Sequence, residues 1–327
     1  MIGRRVPSAS LTRPIPSVAP FGATGGSPIV LLALLAALAL FAAGCRTVPP
    51  PGFLRGAPLA VDDGRASRLL DDYLARTATR DVLRGSARVV LSGPDFKLNR
   101  PQNVVVARPA RLRFEVVGLF EQLAAVLVAD GDRYGFYDAS NGEMEHGAVT
   151  PGLLWELAKV DVGIPEAVEL LLGAPRPRPF GARAAVWQEE GDRIGIGFTP
   201  GHTSGHTSGR SHRRPDCPAD PEQGWRDAAC FAEAGALSEG GDAFVFDRDG
   251  RLVELRAFLA EGTLRYRARF EEYEALGEGA DRTDFPRVVT IESPAVGSEA
   301  RFAWKRVMLG GEVADRMFRL PERGTRW

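Results

Sequence analysis

The chain has 327 residues with 41 basic and 42 acidic side chains, four His and three Cys; 44% of its residues are hydrophobic and 25% charged. That balance belongs to a folded domain, because a disordered or collagen-like chain carries too little apolar surface to offset the entropy of ordering. The near-zero net charge also lacks the basic excess with which nucleic-acid-binding chains neutralise phosphate, so nucleic acid is not an expected partner. Only three of the cations are Lys (Lys97, Lys159 and Lys305), an arginine bias read as one of coding rather than of chemistry.

Residues 1–44 contain no Asp or Glu, three Arg (Arg4, Arg5 and Arg13), and an apolar run from Ile29 to Ala43. At ~1.5 Å per residue this run covers about 22 Å, short of the ~30 Å hydrocarbon core of a bilayer, which favours a secretory signal over a permanent membrane helix. The run ends in Ala42-Ala43-Gly44-Cys45, which resembles the lipobox of bacterial lipoproteins, with Ala42 where Leu is usual. The resemblance implies cleavage before Cys45 and lipidation of Cys45; the competing reading is an uncleaved anchor with an incidental cysteine. Without residues 1–44 the chain keeps 38 basic and 42 acidic groups, a net charge of −4. Anchoring would then fall to acyl chains rather than to a basic patch. Arg46 stands where enteric bacteria place an Asp to retain lipoproteins at the inner membrane, so the expected location is the outer membrane, facing the periplasm. Residues 46–61 hold four Pro and no periodicity and read as an extended tether. The expected organisation is a signal over 1–44, the lipidated Cys45 with its tether over 45–61, and a domain over 62–327.

Asp62 and Asp63 precede Ala66, Leu69, Leu70, Tyr73 and Leu74 at helical spacing, which predicts an amphipathic helix with acidic residues in its first turn. From Leu83 the period becomes two. SARVVLSG, QNVVVAR, RLRFEVVG, QLAAVLVA and RYGFYDA, separated by Gly93-Pro94-Asp95, Pro109 and Asp130-Gly131, read as an antiparallel meander. Residues 150–173 break the alternation and predict two short helices, the first capped by Thr150 with Pro151 in its first turn, the second opened by Pro165. Their buried face would hold Leu153, Leu154, Leu157, Val168, Leu171 and Leu172.

Strands resume at RAAVWQEE and RIGIGFT and are then interrupted by residues 200–242, whose tandem GHTS repeat and polar composition mark a loop or disordered insertion. AFVFD, RLVELRAFL, TLRYRARFEEYEA, PRVVTIES and RFAWKRVML follow. In the third of these Leu264, Tyr266, Ala268 and Phe270 alternate with Arg265, Arg267, Arg269 and Glu271, which predicts one apolar and one wet face. The whole reads as an α+β chain, mainly antiparallel β, with roughly ten or eleven strands and three helices. A sheet that long curls, so the expected architecture is a curved, half-open barrel with the helices against its concave face.

Three stretches carry a resemblance to a known family: LRGSARVVL; RPARLRFEVVGLFEQLAAVLVADGDRYGFYD; and a helical stretch ending VELLLGAP. They resemble the LolA/LolB lipoprotein-carrier superfamily, and the terminal MFRLPERG looks like that family's last strand. The resemblance implies a half-open antiparallel barrel lidded by helices, with an apolar cavity for lipoprotein acyl chains and a periplasmic, LolA-like carrier as partner. Residues of mixed aliphatic and aromatic type, among them Phe114, Val116, Leu127, Phe136, Leu154, Tyr266 and Phe270, are the expected cavity wall. The family's insertase has an exposed leucine in a tight loop, and Val117-Gly118-Leu119-Phe120-Glu121 occupies that place. Leu119 and Phe120 are then either an apolar tip for membrane insertion or core residues beside an ordinary turn.

Catalytic and metal signatures are missing from the sequence. His202 and His206 are four apart, near His212 and Cys217, but the intervening Ser and Gly supply no helix to present them, so no metal site is expected. His146 reads as a solvated turn residue. No nucleophile elbow, zinc-protease motif, Walker loop or dinucleotide fingerprint occurs, and neither an enzyme nor a cofactor is expected. With Cys45 lipidated, Cys217 and Cys230 remain; in an oxidising envelope they are expected to pair as a disulfide, the alternative being two free thiols. Two functions stay open: a carrier that receives lipoproteins and inserts them into the outer membrane, and a structural or assembly lipoprotein whose helices fill the barrel.

Overall fold

The computed structural model describes residues 56–320, apart from 119, 121, 179–182, 199–240, 260–262, 278 and 280–281. The expected signal, Cys45, the insertion's two cysteines and Leu119 therefore lie outside the described residues.

Fourteen strands form one antiparallel sheet, not ten or eleven. Six form a first meander: β2 (Val82–Gly93), β3 (Phe96–Ala107), β4 (Arg111–Val117), β5 (Leu123–Asp130), β6 (Arg133–Asp138) and β7 (Glu143–Ala148). Seven form a second: β8 (Arg183–Glu189), β9 (Arg193–Phe198), β10 (Asp242–Phe246), β11 (Leu252–Phe258), β12 (Leu264–Leu276), β13 (Thr283–Ser293) and β14 (Ser298–Leu309). β14 pairs with β2 and joins the two meanders, while β1 (Ala57–Leu59) pairs with β8 at one edge and β7 ends the other. The two edge strands are not paired with each other, so the sheet is open.

Three differences from the sequence reading follow from these pairings. Residues 57–59, expected in the tether, are the edge strand β1. Asp242, expected at the end of the insertion, opens β10 opposite Phe198. The MFRLP segment is not a strand: Asp315–Phe318 makes a 3-10 turn that buries Phe318 under the Arg111 guanidinium, 5.0 Å from the ring centre.

Helix α1 (Gly64–Thr77) starts where Asp63 accepts hydrogen bonds from the backbone of Arg65 and Ala66, both 2.9 Å, satisfying donors that the first turn leaves free. The acidic residues thus stand at and before the cap rather than in the first turn. Its buried stripe of Ala66, Leu70 and Tyr73 lies on the β8–β12 half of the sheet, where Tyr73 meets Phe246 edge-on at 5.3 Å and donates to the Pro175 carbonyl. Helices α2 (Leu153–Ala158) and α3 (Ile164–Leu171) cover the other half. α2 begins after Gly152 with no side-chain cap, so Thr150 is not its cap; the Thr150 carbonyl accepts from Leu153 N instead. Pro165 does sit in the first turn of α3, and Gly173, at φ 59°, follows its end in the left-handed region that glycine tolerates.

The inward faces of both meanders and all three helices share one apolar core. Bulges in β5, β8, β11, β12 and β14 bend the strands around it.

Candidate functional site: an apolar cavity under a pinned helical lid

Beneath α2 and α3 lies a cavity of about 270 Å³. Its wall takes Ile291 from β13, Phe302 from β14, Val89 and Leu91 from β2, Leu98 and Gln102 from β3, Phe114 and Val116 from β4, Ala125 and Leu127 from β5, and Phe136 from β6. Its roof is Leu154, Leu157 and Ala158 of α2, Val160 of the linker, and Ala167 and Leu171 of α3. On a flat sheet the seven strands from β13 to β6 would span about 29 Å, which a cavity of this size could not reach across, so the sheet curls around it. All the lining side chains except Gln102 are apolar.

Of the residues expected in the wall, Phe114, Val116, Leu127, Phe136 and Leu154 come together here. Tyr266 and Phe270 do not. Both point inward, as their alternation indicates, but β12 lies in the half covered by α1: Phe270 is buried in the core, and Tyr266 lines a separate space against the outer side of α3. Leu171 was expected on the buried helical face but not in the cavity wall, and Ala167, Phe302 and Gln102 were not singled out in the sequence. For Ala167 and Phe302 the signal existed, as residues at helical or alternating spacing, but nothing local said which half of the sheet they would meet.

The lid is fixed by charges that the alternation pattern hides. Arg265, expected on a wet face, is buried. It is the extra residue of a bulge, since Ala257 pairs with Tyr266 and Phe258 with Leu264, and the bulge turns its guanidinium inward. There its Nε donates to Asp161 Oδ1 at 3.0 Å and its Nη1 to Glu166 Oε1 at 3.1 Å. Glu166 also accepts from the backbone of Gly163 at the start of α3, and Arg178 lies 3.8 Å from Glu166 and 3.1 Å from Asp242. Asp161, in the α2–α3 linker, has 0% exposure, and its Oδ2 has no partner among the described residues. Burial pushes the Asp161 carboxyl up to about 7 against the pull of Arg265, and pushes Asp242 up to about 6 against Arg178. Burial works against the Arg265 cation, but Glu166 and Asp161 outweigh it and raise its pKa.

The far end of α3 is held from the other meander. Arg108 grips Glu169 through two bonds of 2.6 and 2.8 Å and donates to the Ala174 carbonyl, while Arg80 donates to the Gly173 carbonyl at 3.0 Å. α3 is thus pinned at both ends. α2 has six residues and no side-chain cap, with Leu153, Leu154 and Trp155 buried.

At the end of β4 the chain turns through a loop in which Gly118 N donates to the Gln122 carbonyl and Phe120 N to the Gln122 side chain. Phe120 is 88% exposed, and so is a tip residue rather than core. Val116, on the cavity wall, is four residues away, so Phe120 stands within about 13 Å of it along the chain. Among the described residues there is no cluster of three or more His, Cys, Asp or Glu side chains able to hold a metal, and no helix long and apolar enough to cross a membrane.

No protein-family model and no curated protein matches this sequence. Among solved structures, a LolA superfamily protein from Nitrosomonas europaea is similar at 10% identity and TM-score 0.47, covering 78% of this chain and 97% of that one. A putative outer membrane lipoprotein-sorting protein domain from Vibrio parahaemolyticus is similar at 9% identity and TM-score 0.45, covering 77% and 94%. A protein from Desulfovibrio piger, of a family known only by its domain, is similar at 9% identity and TM-score 0.47, covering 78% and 96%.

Proposed function

We propose that this chain is a LolA/LolB-like envelope lipoprotein that binds acyl chains in the cavity beneath α2 and α3, accepts lipoproteins from a periplasmic carrier and inserts them into the outer membrane. The observation that carries this reading is the cavity itself. The helical leucines do not fill the space between lid and sheet, and the wall offers hydrocarbon an apolar surface in which each buried methylene contributes about 0.8 kcal/mol. That gradient also has to be reversible, and in this reading the short, uncapped α2 is the part of the roof that opens while α3 stays pinned.

In this reading Cys45 carries the lipid that holds the protein at the membrane, and Phe120, with Leu119 beside it, enters the bilayer surface. An exposed aromatic ring near the cavity wall would let the acyl chain pass from protein to membrane with little apolar surface crossing water. The protein acts here by binding and release, without a catalytic step.

The test is a titration of the full chain, kept in a fluorinated surfactant that mixes poorly with hydrocarbon, with a fluorescent fatty-acyl probe and a triacylated lipopeptide as competitor. Saturable binding that the lipopeptide reverses is the expected result. A folded chain that takes up no probe would overturn the carrier reading in favour of a structural lipoprotein.

A further inference from the structure

Gln102 is the polar exception in an apolar wall. It is 5% exposed, its side chain lines the cavity, and its side-chain amide makes no hydrogen bond among the described residues. Its amide atoms are also not among the buried polar atoms sealed away without a partner, so they retain access to the space in front of them. A carboxamide placed this way can be satisfied only by what occupies the cavity, because a donor or acceptor cut off from any partner loses its hydration and gains nothing in exchange. At a wall position an apolar side chain would avoid that cost.

Its position along the strand is informative. Gln102 pairs with Val116 on β4, and Val116 with Ala125 on β5. This is the last row that spans β3, β4 and β5; one further pair, Val117 with Leu123, precedes the loop that carries Phe120, and Val116 and Ala125 are only half-buried. Leu171 and Ile291, by contrast, are fully enclosed. A chain lying in the cavity with its tail among the enclosed residues would bring its head end to the Gln102 row.

We infer that Gln102 recognises the ester or amide carbonyl by which an acyl chain is joined to its headgroup. The inference rests on the acyl-binding function proposed above and narrows its ligand from hydrocarbon to acyl derivatives. The side-chain NH2 donates to the carbonyl oxygen, and its own oxygen can accept the N–H when the linkage is an amide. The rest of the wall grips the chain without regard to its chemistry, so Gln102 is the selective contact.

The test compares two photoreactive probes of equal chain length, one a methyl ester and one a plain alkane, each bearing a diazirine at the far end. They are cross-linked to the full chain in fluorinated surfactant, and the labelled peptides are identified by mass spectrometry. Wild type should prefer the ester about tenfold. Gln102→Met, of similar length and apolar, should lose that preference by weakening ester labelling while alkane labelling holds or rises. Gln102→Leu serves as a second apolar variant. Both variants should stay folded, because each places an apolar side chain of similar size at a wall position. Equal labelling by both probes in wild type, or a preference that survives both substitutions, would overturn the inference and leave acyl binding standing. No cavity labelling by either probe would overturn acyl binding and this inference together.

Discussion

Phe120 makes no use of its hydrophobicity within the fold, so Phe120→Asp is expected to leave thermal unfolding unchanged within about 0.5 kcal/mol. Transfer of a bound lipopeptide from the protein to phospholipid vesicles should slow markedly in the same variant, measured by fluorescence dequenching. Asp161 sits at the other extreme. Its folded-state pKa, about 7, lies above its ordinary 3.8, so the folded chain holds a proton that the unfolded chain has released over that range. The stability linked to this proton is complete below about pH 4 and disappears as the pH rises through 7. Asp242, raised to about 6, acts in the same direction. Unfolding in urea from pH 5 to pH 8 should therefore show wild type losing stability, by a few kcal/mol at most, at a slope approaching 1.4 kcal/mol per pH unit for each group. Asp161→Asn should flatten most of that slope, and a variant that keeps the full wild-type slope would mean that the buried proton is elsewhere.

The elements differ in what holds them. Arg265→Met should cost about 3–5 kcal/mol because it strands the buried Asp161 carboxylate, whereas adding Asp161→Asn should recover much of the loss, a coupling that a double-mutant cycle of urea unfolding would measure. Strand and helix boundaries at this scale were legible where chemistry is local. Pro165 in a first turn and the long alternating strands can each be read from a few neighbouring residues, whereas Asp63, expected in the first turn, is the cap one position earlier. β7 escaped because EMEHGA presents no apolar face, its side chains being mostly exposed at a sheet edge. Arg265 escaped for a different reason. The alternation from Leu264 to Glu271 is unbroken, and the bulge that turns Arg265 inward is set by pairing with β11, which no local pattern records. Gln102 lay within a strand that was recognised, but its facing partner row was not known, so its isolation among apolar groups was invisible.

At the scale of the molecule, alternation revealed which side chains point inward, and strand order decided where they arrive. Phe114 and Phe270 share the same local pattern, yet one meets the open space under α2 and α3 and the other meets the packed half under α1. One half of the open sheet thus packs its inward side chains against α1, while the other keeps a cavity under α2 and α3. Occupancy of the open half should be felt throughout the cooperative unit. An acyl ligand at 100 times its dissociation constant should stabilise the whole chain by about 2.7 kcal/mol, seen as a rise in unfolding temperature. Ala167→Phe, which places a ring into the roof of the cavity, should abolish that rise while leaving the ligand-free chain folded.

The seam between β14 and β2 sets an order of events for the newborn protein. The cavity wall draws on β2 to β6, made early, and on β13 and β14, made last among the described strands, with the packed half made in between. During synthesis, Val89 and Phe114 therefore wait, bare, for Phe302 to arrive. Until it does there is half a wall with no enclosure, and the same surface that later holds a guest is a place for the unfinished chain to stick to its neighbours. Completion of the cavity is thus tied to completion of the polypeptide: a copy cut short before β14 would present an exposed greasy sheet rather than a smaller cavity.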